Sequence, residues 1–277
     1  EYLAAKTKLF EQLSEDATAV LNKESPEAAK IAEKTAAKIL WYAVDAPADI
    51  TASIESMDVT GTAFTLEYAG QRQKVKTPLL GRYNVSNHLA AAGLCLAAGL
   101  DLQTIAKGLS ALAAIPGRLE RVDWGGDFTV LVDFAHTDDA LKNVLMTLKP
   151  LCKGKLIAVF GCGGDRDRTK RPRMARVTEQ LADVVVVTSD NPRTERPEDI
   201  ISEIVAGFEK PDSAKIMVEP NREKAIGLAL NTAGENDIVL IAGKGHEPYQ
   251  IIGKQKFNFS DKKIALNCLE NKSDIRT

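Results

Sequence analysis

A run of valines followed by polar, turn-forming residues is the first place in this sequence where residue types indicate chemistry. Val184–Val187 predicts a strand buried on both faces, as in a parallel sheet with helices on either side. Asp-Asn-Pro-Arg follows at residues 190–193, and Pro197 is placed for the first turn of the next helix. Open α/β sheets bind ligands beyond the carboxyl ends of their strands, where an arginine offers a planar fork for a carboxylate or phosphate. An ordinary surface turn with a solvated arginine is the alternative interpretation.

Two glycine-containing loops follow other predicted strands. Residues 161–167 read Gly-Cys-Gly-Gly-Asp-Arg-Asp, and residues 243–247 read Gly-Lys-Gly-His-Glu. Glycines permit tight turns and close approach of the main chain, as at phosphate sites, but neither a complete GxGxxG nor a GxxxxGK[ST] pattern occurs in the 277 residues. A close-packed turn explains the first loop equally well. The three loops together would suit a ligand with both carboxylate and ammonium groups, because they offer two guanidinium groups and two carboxylates. These groups belong to Arg166, Arg193, Asp190 and Glu247.

Further candidate groups lie near a Pro-Gly pair at residues 116–117, which is the best domain boundary in the sequence. Arg118 could reach a phosphate from this hinge, and Asp133 stands at a strand end, where an acid can hold a sugar hydroxyl. Alternatively, Asp133 and Thr137 only cap the next helix. His88 and His246 have no metal-ligand spacing around them and are interpreted as structural.

Composition and length indicate a globular protein of up to two domains. The chain has 277 residues, is 44% hydrophobic and 27% charged, and carries a formal net charge of -2. This charge gives no indication of a nucleic acid or an acidic membrane as a partner, and no apolar run approaches the roughly 20 residues of a spanning helix. The four scattered cysteines fit reduced thiols in the cytoplasm. The sequence opens without methionine or signal peptide, so we expect it to be the later part of a longer protein.

The elements that position these loops alternate between strand and helix beyond residue 117, which predicts a mostly parallel sheet. Strands are predicted at residues 128–134, 156–160, 184–187, 215–218 and 238–241. Helices are predicted at residues 138–149, 172–182, 198–208, 222–231 and 261–270, with a hairpin at residues 249–259.

The first 117 residues give a mixed pattern. An N-cap at Ser25, with Pro26 in the first turn, predicts a helix that runs to about residue 38. Strands are predicted at residues 18–21 and 39–44, and residues 51–57 and 63–68 predict an antiparallel hairpin. The other helices are predicted at residues 1–14, from about 81 to 98, and 102–113.

A series of short motifs resembles the Mur ligases, in the same order and at the same spacing. The resemblance runs through the whole chain and is strongest in the loops described above. The motifs are Tyr2-Leu-Ala-Ala-Lys-Thr-Lys-Leu-Phe, Tyr83-Asn-Val-Ser-Asn, Pro116-Gly-Arg-Leu-Glu, Asp133-Phe-Ala-His-Thr, Gly161-Cys-Gly-Gly-Asp-Arg-Asp, Lys170-Arg-Pro, Asp190-Asn-Pro-Arg and Gly243-Lys-Gly-His-Glu.

The resemblance implies an α/β fold in two parts. Residues 1–117 are similar to the carboxy-terminal part of the central ATPase domain of these enzymes, here truncated. Residues 118–277 are similar to the Rossmann-like, mostly parallel carboxy-terminal domain, which binds the incoming amino acid and here ends in a hairpin. The uridine-binding domain and the phosphate loop of the family have no counterpart in these residues, so we expect no catalysis by this chain alone.

The implied reaction is ATP-dependent amide formation in peptidoglycan precursor synthesis. The similarity is greatest to family members that add meso-2,6-diaminopimelate to UDP-N-acetylmuramoyl-L-alanyl-D-glutamate through an acyl phosphate. The resemblance therefore implies ATP and Mg²⁺ as cofactors, small molecules as partners rather than nucleic acid or membrane, a monomer, and a cytoplasmic location.

The resemblance also implies roles for individual residues. Lys6 is similar to the lysine that, as a carbamate, holds a second magnesium ion; its alternative is an exposed helix lysine. At the nucleotide, the implied contacts are Asn87 with adenine, Arg118 with phosphate in a catalytic role, Asp133 with ribose, and His136 nearby. The implied diaminopimelate pocket consists of Arg166, Asp190, Asn191, Arg193, Gly243 and Glu247.

Two other functions are compatible with parts of the sequence. One is a related amide ligase of the folylpolyglutamate or cyanophycin synthetase type, against which the loops at residues 190–193 and 243–247 argue. The other is a non-catalytic module that retains only the amino-acid pocket. A phosphate loop upstream would favour a ligase over such a module.

Overall fold

The structure is a computed structural model that describes residues 2–276, with side chains described for residues 3–270. The chain divides into two compact units between Ala113 and Ala114. Each has its own sheet and its own hydrophobic core. The predicted α/β class is confirmed.

A five-stranded sheet forms the centre of the first unit, and its strands lie side by side in chain order. The strands are β1 (Thr18–Asn22), β2 (Lys38–Ala43), β3 (Ile50–Asp58), β4 (Gly61–Tyr68) and β5 (Gln71–Thr77). β1, β2 and β3 pair in parallel, whereas β4 is antiparallel to both β3 and β5. The predicted hairpin is therefore confirmed.

Four helices accompany this sheet: α1 (Tyr2–Glu11), α2 (Ala28–Ala32), α3 (Arg82–Ala97) and α4 (Leu102–Ala111). Leu89 of α3 and Ile105 of α4 pack with Phe64 and Leu66 of β4 in the core of this unit. α3 approaches β1 closely at Gly93, where an added Cβ would lie 2.6 Å from Val20 Cγ1. The small residues of α3 thus bring the helix against the sheet.

The helix predicted from Ser25 to about residue 38 is present only in its middle part, and its predicted cap and end are wrong. α2 covers only five residues, its N-cap is Glu27, and no side chain caps it. Lys38 instead pairs with Thr18 as the first residue of β2, and its N–H donates to the carbonyl of Ala17 at 3.0 Å. Strand pairing therefore overrides the helical preference of residues 33–37.

The second unit contains a six-stranded sheet in the order β10, β9, β8, β11, β7, β6. The strands are β6 (Glu120–Arg121), β7 (Thr129–Asp133), β8 (Leu156–Phe160), β9 (Val184–Val187), β10 (Ile216–Val218) and β11 (Ile238–Ala242). All pair in parallel except β6, which is antiparallel to β7. The predicted mostly parallel sheet is confirmed, and Val185, Val186 and Val187 are fully buried as expected for a central strand.

In the part of the second unit that the structure describes, residues 114–276, five helices and a hairpin complete the fold. The helices are α5 (Asp138–Leu148), α6 (Lys170–Leu181), α7 (Pro197–Val205), α8 (Arg222–Thr232) and α9 (Asp261–Arg276), and a 3₁₀ turn at Lys149–Leu151 follows α5. β12 (Tyr249–Ile252) and β13 (Gln255–Asn258) form the predicted terminal hairpin. Within residues 2–276, the structure has no helix of the length and apolarity needed to span a membrane.

Candidate functional site

Four parallel strands of the second unit end at the same edge of the sheet. Val187 of β9 is level with Phe160 of β8, and Ala242 of β11 is level with Asp133 of β7. The loops that follow these strands therefore emerge side by side, at the edge where parallel sheets bind ligands. Five charged or amide side chains of the loops after β9 and β11 are called the loop cluster below: Asp190, Asn191, Arg193, Lys244 and Glu247.

The loops after β8 and β9 are joined by hydrogen bonds. The N–H of Gly164 donates to the carbonyl of Asn191 at 2.9 Å, and Thr194 Oγ1 donates to Asp165 Oδ1 at 2.7 Å. An added Cβ at Gly164 would overlap the carbonyl of Pro192, so this close approach requires glycine. The glycine-rich sequence thus serves loop packing, which was the alternative interpretation of its pattern.

A buried arginine fixes the base of the same two loops. Arg171 of α6 is fully buried, and its guanidinium donates to both carboxylate oxygens of Glu195 and to Glu203 at 2.8–2.9 Å. Hydrogen bonding from Arg171 is the largest cause that lowers the pKa of Glu195, from 4.5 to about 2. Glu195 also accepts the N–H of Asp165, so one carboxylate joins α6 to both loops.

Arg193 has its backbone in the left-handed region, with φ of 52°. Its Nη1 donates to the carbonyl of Gly164 at 2.8 Å and to that of Asn191 at 3.4 Å. Its own N–H and carbonyl bond to Ile251 and Gly253 of the terminal hairpin, at 3.1 and 2.7 Å. Carbonyls of the loops after β8 and β9 thus hold the guanidinium, and the terminal hairpin holds the main chain of Arg193.

Asn191, Lys244 and Glu247 form a closed triangle of hydrogen bonds. Lys244 Nζ donates to Asn191 Oδ1 at 3.0 Å and to Glu247 Oε2 at 3.2 Å, and Asn191 Nδ2 donates to the same Oε2 at 2.8 Å. Asn191 and Lys244 are buried, whereas the Glu247 side chain is 20% exposed. The triangle joins the loop after β9 to the loop after β11.

Asp190 has one satisfied and one unsatisfied carboxylate oxygen. Oδ1 accepts the N–H of Asn191 at 2.6 Å, whereas Oδ2 is buried without a hydrogen-bond partner. Gly243 lies beside Oδ2, since an added Cβ there would be 2.7 Å away. A buried acceptor without a donor is costly, so Oδ2 is a candidate acceptor for a ligand donor.

A second buried ion pair holds the carboxyl ends of β9 and β11, where the loops of the loop cluster begin. Arg222 of α8 and Asp261 of α9 are both fully buried and bond through two N–H groups, at 2.7 and 2.8 Å. Arg222 also donates to the carbonyls of Ser189 and Ala242, at the ends of β9 and β11. The pair therefore fixes the starts of both loops that carry the loop cluster.

Arg166 is exposed, and its Nη1 donates to the carbonyl of Asp165 at 3.0 Å. It stands on the loop after β8, at the same edge as the loop cluster, and is not buried with it. Arg166 thus has freedom that Arg193 lacks.

The candidate nucleotide residues of the second unit lie after β7. Asp133 is 3% exposed, and its oxygens accept the N–H groups of Leu119 and Ala135, each at 2.7 Å. Burial raises the pKa of Asp133, while these donors and the charge of Arg118 act to lower it. Arg118 is exposed and lies over the ring of Phe134, and exposed His136 has its Nδ1 2.9 Å from the Phe134 carbonyl.

The predicted cap at the start of α5 is present in part. Thr137 is the N-cap, and its side chain accepts the N–H of Ala140. Asp133 does not cap the helix, because it holds the turn between Leu119 and Ala135 instead.

The other two predicted site residues belong to the first unit. Lys6 is exposed on α1, and Asn87 is exposed on α3, where its Nδ2 lies 3.4 Å from Asn84 Oδ1. His88 is buried, its Nδ1 lies 2.8 Å from the Asn84 carbonyl, and burial lowers its pKa. A structural role for His88 fits this environment.

The described side chains do not form a metal site by themselves. Among residues 3–270, no group of three or more His, Cys, Asp and Glu side chains is arranged to hold a metal ion. Magnesium requires six oxygen ligands in near-ideal geometry, which Lys6 alone does not supply even as a carbamate.

Sequence reasoning missed four buried charged residues of the site, one of which, Arg171, lies in the Lys170-Arg-Pro motif but received no role. Lys244 was inside a recognised motif but received no role, and its position between two glycines was the available signal. Arg222 and Asp261 had no signal, because each reads as an ordinary charge in the first turn of a helix.

A Rossmann-like sheet with charged and amide groups at its carboxyl edge is the architecture of the α/β proteins that bind ligands at that edge. Comparisons with known proteins identify the family. Residues 117–245 match the Mur ligase, glutamate ligase domain, and residues 1–95 match the Mur ligase middle domain. The chain belongs to the Mur ligase family.

Individual relatives agree with this assignment. The UDP-N-acetylmuramoyl-L-alanyl-D-glutamate–2,6-diaminopimelate ligase of Fusobacterium nucleatum is 46% identical over 270 residues, which cover 95% of this chain and 54% of that protein. A solved structure of an enzyme of the same name is 35% identical with a TM-score of 0.67, and the match covers 98% of this chain and 56% of the other. Folylpolyglutamate synthase of Mycobacterium tuberculosis shares the fold, with 22% identity and a TM-score of 0.65. That match covers 82% of this chain and 52% of the other. The chain spans about half the length of the curated relatives it matches.

Proposed function

We propose that this chain is part of an ATP-dependent ligase that adds meso-2,6-diaminopimelate to UDP-N-acetylmuramoyl-L-alanyl-D-glutamate in peptidoglycan precursor synthesis. The observation that carries the proposal is the loop cluster. It combines a fixed guanidinium with two carboxylates that each keep an oxygen without a hydrogen-bond partner among the described residues. Similarity to ligases named for diaminopimelate supports this choice of amino acid.

In the proposed complex, Arg193 binds the distal carboxylate of diaminopimelate in a forked pair. Its Nη1 is held by main-chain carbonyls, and Nε and Nη2 have no hydrogen-bond partner in the described part of the chain. Glu247 and Asp190 accept the distal ammonium, Asn191 orients Glu247, and the glycine at 243 leaves room beside Asp190. Exposed Arg166 adds a second contact to the carboxylate.

The two units take the roles that their family matches suggest. Residues 1–117 form the carboxy-terminal part of the central ATP-binding domain, and residues 118–277 form the amino-acid-binding domain. Arg118 and His136 are exposed and available to the phosphates and sugar of ATP. Asp133 reaches the ribose only through lone pairs that Leu119 and Ala135 leave unused.

When bound, ATP would supply a phosphoryl group to activate the D-glutamyl carboxylate, and Mg²⁺ would neutralise phosphate charge. In this proposal Asn87 would contact adenine, and Lys6 as a carbamate would contribute to magnesium binding. We place the protein in the cytoplasm as a monomer whose partners are small molecules, with neither nucleic acid nor membrane among them.

Calorimetry of the chain with meso-2,6-diaminopimelate tests the proposal directly. We expect binding of diaminopimelate and at least about 30-fold weaker binding of L-lysine, because lysine leaves the Arg193 fork unpaired. Equal affinity for the two amino acids would contradict the assignment of the loop cluster.

A second candidate function is an amino-acid-binding module without ligase activity. It is favoured by the location of the loop cluster, all of whose residues lie in the second unit. Turnover by a chain that also contains an upstream phosphate loop would exclude it.

A further inference from the structure

Lys244 is a fully buried cation to which the proposed function assigns no role. Its side chain is 0% exposed, and its two hydrogen-bond partners are Asn191 Oδ1 and Glu247 Oε2. The rings of Tyr249 and Phe259 lie 5.7 and 6.0 Å from Nζ. Lysines are almost never buried without a charged partner, because desolvation of the ammonium is costly.

Lys244 fixes the orientation of the Asn191 amide. Asn191 Oδ1 accepts from Lys244 Nζ at 3.0 Å and from the N–H of Ile251 at 2.9 Å. Both partners are donors only, so the oxygen of the amide must face them. The Nδ2 group is therefore directed to Glu247, where it donates to Oε2.

Lys244 and Asn191 together divide the two oxygens of Glu247 into different roles. Oε2 accepts from both residues, whereas Oε1 has no hydrogen-bond partner among the described residues. Since the Glu247 side chain is 20% exposed, its free oxygen is the one available to a ligand ammonium.

The charges of the loop cluster are balanced. Arg193 and Lys244 carry two positive charges, and Asp190 and Glu247 carry two negative charges. The Arg222–Asp261 pair adds no net charge, because its positive guanidinium and its negative carboxylate are fully buried and pair with each other. Without Lys244 the cluster would carry one net negative charge.

We propose that Lys244 makes the loop cluster select the zwitterionic end of an amino acid over a purely cationic or purely anionic end. The proposal rests on the proposed function and names a positioning and specificity residue within it. A zwitterionic end brings one carboxylate for Arg193 and one ammonium for Glu247 Oε1 and Asp190 Oδ2. A lysine end brings only a cation, which leaves the Arg193 fork unpaired and adds a net positive charge to a balanced cluster. An end with only a carboxylate leaves Asp190 Oδ2 buried and unpaired.

A comparison of ligands on the unaltered chain tests this selectivity without any variant. The ligands are meso-2,6-diaminopimelate, L-lysine and L-2-aminopimelate, which share the proximal end and differ in the charge of the distal end. We expect calorimetry near neutral pH to show diaminopimelate binding at least about tenfold more tightly than each of the others. Binding of 2-aminopimelate as tight as that of diaminopimelate would overturn the proposal.

Lys244→Met removes the charge and keeps much of the side-chain length. We expect the ratio of diaminopimelate affinity to lysine affinity to fall roughly tenfold to a hundredfold, because the cluster would then carry one net negative charge, which favours a purely cationic end over an end that also brings a carboxylate. If Lys244 had only a structural role, the substitution would weaken the binding of both ligands by the same factor. An unchanged ratio in a folded variant would therefore overturn the proposal.

Lys149→Met is the matched control. It makes the same substitution in a salt bridge with Asp183, near the amino ends of β8 and β9 in the same unit. We expect it to leave the affinity ratio unchanged, and a similar shift in this control would assign the effect to net charge rather than to Lys244 and overturn the proposal.

Failure of this inference is distinguishable from failure of the proposed function. If the unaltered chain does not prefer diaminopimelate to lysine, the substrate assignment fails and this inference fails with it. If the unaltered chain has that preference and Lys244→Met retains it, only the role of Lys244 fails. If Lys244→Met does not fold by circular dichroism, Lys244→Gln is measured in its place, and an unchanged affinity ratio in that folded variant overturns the role of Lys244.

Discussion

Arg193 is the residue at which the backbone and the proposed chemistry are most directly linked. A non-glycine residue in the left-handed region costs about 1–3 kcal/mol, so the surrounding structure must hold it there. Gly164, Ile251 and Gly253 do so through hydrogen bonds to its side chain and main chain. The guanidinium is thus ordered before a ligand binds, which lowers the entropy cost of binding.

Arg193→Ala is expected to weaken diaminopimelate binding by about 2–5 kcal/mol, which is about 30-fold to several-thousand-fold. Arg193→Lys is not expected to restore it, because an ammonium cannot form the planar fork. Calorimetry of both variants with diaminopimelate measures the effect.

Arg196→Ala is the control for this residue. Arg196 lies in the same segment, its side chain is 76% exposed, and its ion pair with Glu198 is long, at 3.9 Å. We expect its affinity for diaminopimelate to equal that of the unaltered chain. Full affinity in Arg193→Lys would contradict the forked contact.

Among individual residues, the sequence identifies site residues that are exposed or lie in a motif better than it identifies buried ones. Asp190 and Arg193 were identifiable because a buried strand precedes them and a proline breaks the chain between them. The partners of Arg222 were not, because Asp261 is distant in the sequence and the ion pair exists only once α8 and α9 pack together. Such charged residues become structural when packing buries them, and the sequence alone does not show which polar residues are buried.

At the scale of elements, the loops after β8 and β9 behave as one body through Glu195. This carboxylate bonds to Arg171 of α6 and accepts the N–H of Asp165, and its pKa is lowered from 4.5 to about 2. A carboxylate with a lowered pKa stabilises the folded state above its ordinary pKa. That stabilisation is lost as the pH falls from about 4.5 towards 2.

Glu195→Gln is therefore expected to lower the free energy of unfolding of the second unit by about 1–2 kcal/mol near neutral pH, with solvent screening taken into account. The difference from the unaltered chain should shrink as the pH falls below 4.5 and vanish near 2. Urea unfolding over this pH range measures it.

Glu198→Gln provides the comparison on the same segment, because Glu198 is 59% exposed and lies 3.9 Å from Arg196. We expect it to change stability by less than about 0.5 kcal/mol at any pH. A pH-independent loss in Glu195→Gln would show that packing, rather than charge, is responsible.

Hydrophobic runs in the sequence predicted most helices and strands, but they did not predict β5 or the order of the strands. β5 reads Gln-Arg-Gln-Lys-Val-Lys-Thr, and only Val75 within it is a buried apolar residue, so it gives no strand signal. The order of the strands was also not predicted, because β11 lies between β8 and β7, although it follows β10 in the chain. Such order depends on how the strands pair in three dimensions, which periodicity along one chain does not encode.

At the scale of the molecule, the two units carry different parts of the proposed reaction. The loop cluster lies in the second unit, whereas Asn87 and Lys6 lie in the first. We therefore expect amino-acid binding by the second unit to be measurable in a chain that does not turn over ATP.

We expect the 277 residues alone to release no phosphate above background with ATP, Mg²⁺ and both other substrates present, because no GxxxxGK[ST] pattern is among them to hold the phosphates. A phosphate-release assay measures this, and diaminopimelate binding by the same preparation is the control for folding. Phosphate release that depends on all substrates would contradict the expectation.

The position of β11 has a consequence for how the protein is made on the ribosome. Thr129–Asp133 and Leu156–Phe160 are synthesised early, yet they are not neighbours in the sheet, because Ile238–Ala242 lies between them. Until that last parallel strand has been synthesised, a nascent chain exposes the paired edges and apolar faces of two strands that are fully or almost fully buried in the finished protein. Exposed strand edges and apolar surface promote aggregation, so we expect this unit to be prone to aggregation until a single strand closes the centre of its sheet.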